Sequence, residues 1–218
     1  MIVLSMKPEE IYQEVMRDFV SIKRKAHTEA LILHQERQRK KLPNLFRIIS
    51  YKTPHHNQWQ IILSAEALGI KKGFYLKSRD SRGLAVYMIQ FVNFGTHEEE
   101  KYVMKYNQHF FDRYNERMGL DLKDTSKVIS RFFKYNLESE LGESEILDNG
   151  ICAVHFVFPE GIGIAWKDVA RKTIHIKTFI PNEMMGKKLL GLAEHIKNSG
   201  DDSEFLFEVK LENLYKAF

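Results

Sequence analysis

The sequence predicts an α+β fold: a long N-terminal helix, an antiparallel four-stranded meander, helices, then a three-stranded antiparallel meander and C-terminal helices. Three observations carry that reading. Ile11, Val15, Phe19, Ile22, Ala26, Ala30 and Leu33 recur every three or four residues, the period of one buried helical stripe. Two groups of apolar or alternating segments, one before Asn93 and one after Gly150, are punctuated by turn residues at hairpin spacing. Between them, Phe110, Phe111, Tyr114 and Met118 return to the helical period.

Composition narrows the class without naming a function. A chain of 218 residues makes one large domain or two small ones and buries a real core. Its 44% hydrophobic and 28% charged residues are ordinary for a soluble globular protein. A net charge of +4 permits contact with nucleic acid or an anionic surface but does not require it. Cys152 is the single cysteine, which excludes an intrachain disulfide and a cysteine cage for a metal. Its apolar setting reads as a buried thiol. The apolar stretch 1–6 is short for a signal peptide, and no run approaches the length of a membrane span. The expectation is a cytoplasmic protein with no membrane partner.

Pro8 suits a first helical turn, with Glu9 and Glu10 set against the helix dipole. The helix runs to about Lys41, and Pro43 stops it. Its last turns carry Arg37, Arg39, Lys40 and Lys41, which read first as dipole-matched cations on a solvated end and, in the functional alternative, as a phosphate-contacting arm. Segments 46–52 and 59–64 read as one hairpin, 74–78 and 84–93 as a second, with the apolar run 84–91 placed centrally in the sheet. After a loop at 95–100, a helix is expected from Thr96 or His97, either continuous to Met118 or restarting near Asn107, with Gly119 as cap. Asp124 or Thr125 opens the next helix, whose apolar face is Val128, Ile129, Phe132 and Phe133. The acidic stretch 138–149 has little periodicity and reads as a loop, open to a partner. Strands at 151–158, 163–167 and 171–180 form the second meander. Pro181-Asn182-Glu183 starts a helix to about Asn198, and 203–218 is a final helix. The division falls at 1–94 and 95–218, with no linker between the halves, so one shared core stays open.

No Walker loop, dinucleotide glycine fingerprint, His-Glu-x-x-His or Gly-x-Ser-x-Gly is present. His55 and His56 diverge in a loop without a third ligand, and His27 and His34 share a helix face without a carboxylate. No metal site and no cofactor are indicated. The chemistry concentrates at 108–118, where His109, Arg113, Glu116 and Arg117 form a second stripe about 100° from the apolar one. In the last strand, Thr173, His175, Lys177 and Phe179 alternate with Ile174, Ile176, Thr178 and Ile180. The face with His175 and Lys177 is either solvated or part of a site, with His175 and Lys177, or else Thr178 of the other face, set beside the His109 helix.

A His-x-x-x-Arg-x-x-Glu-Arg helix (109–117), then the helix at 124–136, then a meander at 151–180 ending in Ile176-Lys177-Thr178 resembles the barnase–RelE-like superfamily of small ribonucleases. The resemblance covers roughly 95–181, about half the chain. It implies a metal-independent endoribonuclease of toxin, phage or mobile-element type, cleaving RNA by attack of the 2′-hydroxyl on its neighbouring phosphate. On this reading His109 is acid or base, and Arg113 and Arg117 clamp the phosphate. Glu116 and His175 complete the set, Thr178 is a hydrogen-bonding support, and Lys177 joins Arg37, Arg39, Lys40 and Lys41 in holding RNA. The competing expectation is a non-enzymatic binding protein that contacts nucleic acid or a protein partner, or a second copy through the N-terminal helix. Convergence separates the two. The enzyme needs His109, Arg113 and a residue of the last strand around one pocket, whereas the binding protein lets them point apart or pair off.

Overall fold

The computed structural model describes residues 1–3, 5–66, 69–80, 83–92, 100–146 and 151–198. Helix α1 (Pro8–Lys40) begins as the sequence dictates, with proline in its first turn and the Lys7 amide donating to Glu10 Oε2 at 2.6 Å. It ends where Lys41 turns left-handed, at φ 53°. The apolar stripe from Ile11 to Leu33 is buried against the chain's own sheet, so this stripe does not face a second copy. Two carboxylates are buried in the same stripe. Asn57 Nδ2 donates to Asp18 Oδ2 at 2.7 Å and to Glu14 Oε1 at 3.1 Å, and Trp59 Nε1 donates to Asp18 Oδ2 at 2.8 Å. Apolar packing alone tolerates sliding; these bonds hold α1 in one register on the strand beneath it.

The strands are β1 (Leu45–Lys52), β2 (Gln58–Glu66), β3 (Gly69–Asp80), β4 (Gly83–Val92), β5 (Glu100–Asn107), β6 (Glu140–Ile146), β7 (Ile151–Phe158), β8 (Gly161–Asp168) and β9 (Thr173–Pro181). They form one nine-stranded sheet in the order β1-β2-β3-β4-β5-β9-β8-β7-β6. Neighbours are antiparallel except β5 and β9, which run parallel from Val103 opposite Thr173 to Tyr106 opposite Ile176. The sheet therefore crosses the division at 94/95. Strand β4 lies inside it, as its apolar run requires.

The α+β class holds, with two corrections to the strand count. The first meander has a fifth strand, β5, where a helix from Thr96 or His97 is expected. Tyr102, Met104 and Tyr106 point to one face and Val103 to the other, and both edges of β5 are hydrogen-bonded, so pairing outweighs the helical signal of the preceding glutamates. The alternative restart near Asn107 is what occurs: α2 spans Gln108–Arg117. The acidic stretch is likewise no loop over its first part. Edge strand β6 forms there because β7 offers a free edge to pair with. The expected helix after Pro181 opens as a short 3₁₀ turn, Asn182–Met184, before α4 (Lys187–Asn198). Residues 147–150 and the helix expected at 203–218 lie outside the described residues.

Strand alternation sends side chains to two helical layers. Trp59, Ile61, Leu63, Ala85, Tyr87 and Val103 face α1. Ile62, Tyr75, Val86, Met104, Tyr106, Val154, Phe156 and Ile176 face α2 and α3 (Thr125–Tyr135) on the opposite side. Cys152 is buried in that second layer. Tyr106 is its centre, its ring centroid 5.0–5.9 Å from those of Phe110, Phe111, Phe132 and Phe133. Helix α4 covers Val157, Ile162, Ile164 and Ile180, on α1's side of the sheet. It approaches closely because Gly142 has no side chain: a Cβ there would lie 2.3 Å from Ile196 Cδ1. Among the described residues, no helix is long and apolar enough to cross a membrane.

His155, opposite Gly142 and Ile164 in the sheet, is 1% exposed, and its Nε2 has no hydrogen-bond partner. Burial pulls its pKa down to about 4. In the unfolded chain the value returns to ~6.5. The fold therefore pays no penalty at pH 7, and loses stability as pH falls through ~6.5 towards 4. Between pH 7 and pH 4.5 the wild type is expected to lose about 2–3 kcal/mol more than His155→Leu, read from urea unfolding at both pH values. Equal losses would show that the imidazole protonates without opening the fold.

Candidate functional site

Helix α2 follows β5 without a loop. Asn107 caps it, its Oδ1 accepting the Phe110 amide at 2.9 Å. Phe110, Phe111 and Tyr114 are buried, as the apolar stripe predicts. On the outer stripe His109 is exposed in the first turn, and Arg113 donates to Glu116 Oε2 at 2.9 Å, an i,i+3 pair at the surface. Arg117 turns inward instead. Its Nη1 donates to Phe179 O at 2.5 Å and to Thr178 Oγ1 at 3.3 Å. The reason is topological. Strand β5 ends at Asn107 while β9 runs on to Pro181, so the β9 carbonyls beyond Ile176 have no strand partner on that side. Arg117 supplies the missing donor.

Of the residues assigned to catalysis, the fold thus joins Arg117 with Thr178 and Arg113 with Glu116. It does not bring His175 to them. Ile174 and Ile176 enter the core under α2 and α3, whereas His175 opens to a cleft beside Pro8 and Ile11 of α1 on the other face. The alternation expected along the last strand also breaks. Ala165 pairs with Ile176 and Ile164 with Thr178, so Lys177 is an extra residue in a bulge, and Phe179 joins the core. Lys177 is exposed. At the end of α1, Arg37 donates to Leu42 O at 3.0 Å and Pro43 O at 3.3 Å, closing the helix, and Lys40 pairs with Glu36 at 2.6 Å. Arg39 and Lys41 are exposed.

A different cationic surface stands on the outer side of α3. Lys127, Arg131 and Lys134 follow helical spacing opposite the buried Val128, Ile129, Phe132 and Phe133. The Arg131 guanidinium lies 3.6 Å above the ring centroid of Tyr135, which is 46% exposed. Lys134 Nζ is 5.2 Å from that ring and 5.9 Å from the ring of Phe46. Lys123, Lys127 and Lys134 have no carboxylate partner among the described residues. Arg131 is held differently, by a group the helix spacing does not reveal. Glu160, in the turn between β7 and β8, accepts Arg131 Nη2 at 2.5 Å and Nη1 at 3.0 Å. It also accepts Tyr114 Oη and Asn136 Nδ2, each at 2.6 Å. Burial alone would raise the Glu160 carboxyl, but these donors outweigh it and hold it below the usual carboxylate range. Burial, and then Glu160, push the Tyr114 hydroxyl well above its ordinary value, so it remains a donor.

This network fixes the guanidinium and, through it, the Tyr135 ring. The sequence signal that finds the surface is Lys127-x-x-x-Arg131-x-x-Lys134-Tyr135. Among the described residues, no three His, Cys, Asp or Glu side chains are grouped to hold a metal ion. No family model, curated protein or solved structure matches the chain.

Glu160→Ala leaves Arg131, Tyr114 and Asn136 without their shared acceptor and is expected to cost about 3 kcal/mol in urea unfolding. Tyr114→Phe, which preserves the ion pair, costs about 1 kcal/mol. Equal costs for the two would remove the ion pair from the centre of this network.

Proposed function

We propose that the chain is a non-enzymatic nucleic-acid-binding protein that holds single-stranded RNA along the outer face of α3. The observation that carries this reading is the exposed Tyr135 ring, fixed by the Glu160-anchored Arg131 and flanked by Lys127 and Lys134. An exposed aromatic ring bordered by cations suits a base that stacks and phosphates that need charge, with little reading of sequence. The net charge of +4 agrees with an anionic partner. Cleavage, by contrast, needs an acid, a base and a cation for the phosphorane around one pocket. Here His109 stands apart on α2, Arg113 is paired with Glu116, and His175 lies on the other face.

The barnase–RelE-like resemblance supplies a second reading, metal-independent cleavage of RNA. One contact favours it: Arg117 and Thr178, two of the residues it implicates, meet across α2 and β9.

Both readings are tested on one fluorescently labelled, unstructured RNA of about 12 nucleotides, within the range a single-strand-binding surface covers. Fluorescence anisotropy in EDTA is expected to show binding that weakens steeply with salt. Lys127→Ala with Lys134→Ala should reduce affinity about 10-fold and lower the salt slope by about 2, and Tyr135→Ala should weaken binding several-fold without changing the slope. The RNA should stay intact on a gel. Unchanged binding in the double variant removes α3 as the site, and cutting that disappears in His109→Ala replaces the binding reading with the nuclease.

A further inference from the structure

The two ends of the sheet are built differently. A strand at the end of a sheet leaves a row of backbone N–H and C=O groups unpaired, and natural proteins blunt such an edge with charge, proline, a bulge or a cover. Strand β6, at one end, follows that rule. It carries Glu140, Glu143 and Glu145, and its register with β7 shifts between Glu143 and Ile146. Strand β1, at the other end, does not. It pairs with β2 without interruption from Leu45 opposite Ala65 to Lys52 opposite Gln58, with neither proline nor bulge. Among the described residues, no strand pairs with its outer edge.

The open edge is also apolar. Leu45, Phe46, Ile48, Ile49 and Tyr51 are only half-buried, whereas Ile61, Ile62 and Leu63 of the neighbouring β2 are buried completely. Ile48 joins none of the buried clusters that the sheet forms with its helices. Of the two charges on the strand, Arg47 is neutralised by an ion pair with Glu36 of α1, and Lys52 stands at the last position. Helix α1 runs antiparallel along β1, since Glu36 meets Arg47 while Arg17 Nη2 lies 3.2 Å from His55 Nδ1, just past the strand's end. Ile32 lies one turn before Glu36 on the same side of the helix and is 46% exposed. An exposed isoleucine of α1 therefore stands beside the open edge.

We propose that β1 is the interface with a second copy of this chain, the two β1 strands pairing antiparallel across a two-fold axis so that one sheet continues through both copies. The strand is complementary to itself. Residues directly opposite each other in a sheet share a face. With the axis at Ile48, that residue meets its own counterpart, Leu45 meets the second copy's Tyr51, Phe46 its Ser50, Arg47 its Ile49 and Lys52 its Asn44. Apolar side chains meet one another, and no charge meets a like charge. Strand β6 offers no such ladder, because its bulge breaks the row of backbone groups. The two-fold covers both open β1 edges at once and closes the assembly at two copies. One strand and a helix side chain from each copy make a small contact, so the dimer is weak and depends on concentration.

Sedimentation equilibrium and backbone amide exchange of the full chain, each followed as concentration rises, test the assignment. The wild type is expected to pass from monomer to dimer and to stop there. The amides of β1 should exchange more slowly where the dimer prevails, while those of β6 keep their rates. Ile48→Lys sets two ammonium groups opposite each other at the axis and removes two apolar side chains from the contact, and should weaken the dimer about 10-fold or more. Ile32→Glu changes an exposed side chain, which keeps the test open if Ile48→Lys fails to fold, and should weaken the dimer several-fold. A chain that stays monomeric up to about 1 mM, where even a contact of only a few kcal/mol would register, would overturn the proposal. So would growth beyond two copies, slowed exchange at β6 instead of β1, or a dimer indifferent to both variants.

Discussion

The parallel contact between β5 and β9 is the constraint on which the rest of the molecule depends. Every other neighbour in the sheet is also a neighbour in sequence, joined through a connection of few residues. Parallel strands cannot be joined that way and require a long crossover. Here the crossover contains α2, α3 and three whole strands. Its register spans only Val103–Tyr106 and Thr173–Ile176, extended by the Val103 amide donating to Lys172 O at 2.9 Å. Glu100 reinforces the start of the join by accepting Lys172 Nζ and Tyr102 Oη, each at 2.8 Å. Tyr106 closes its far end beneath the phenylalanines of α2 and α3. A short pairing is thus stabilised from both ends by side chains.

The same join decides which chemistry-bearing residues meet. It places Lys105 next to His175 on the α1 side and lets β9 overrun β5 on its way to Pro181. The overrun exposes backbone, and Arg117 is drawn in to satisfy it. An arginine that looks available on a helical wheel is therefore used on a neighbouring carbonyl.

Most of the fold was legible in the sequence because it is local. The stripe of α1, the two hairpins of the first meander, the cap at Asp124 and the strands after Gly150 all follow from periodicity and turn chemistry. Strands β5 and β6 were not legible, for opposite reasons. The Lys101–Tyr106 segment has a good strand pattern but follows three glutamates that resemble a helix start, and only β9 on its far edge settles the contest. Leu141 is flanked by glycine and glutamates, a poor strand that exists because β7 templates it. At the candidate sites the two stripes of α2 were readable, but which side of the sheet His175 would occupy was not, since it depends on a long-range register, and neither was the bulge at Lys177 that turns Phe179 into the core. For α3 the cation spacing is in the sequence, whereas Glu160 reaches Arg131 across 29 residues.

Cys152, the one thiol of the chain, sits 4% exposed on β7 beneath the α2–α3 layer. A thiol reagent can meet its sulfur only while that layer is lifted or the strands around it separate. Where opening and reclosing are fast, the labelling rate is the fraction of time spent open multiplied by the reactivity of a bare thiol. The first meander has no cysteine at all. The molecule therefore carries a single built-in timer that reports the breathing of its second half and is silent about openings confined to the first.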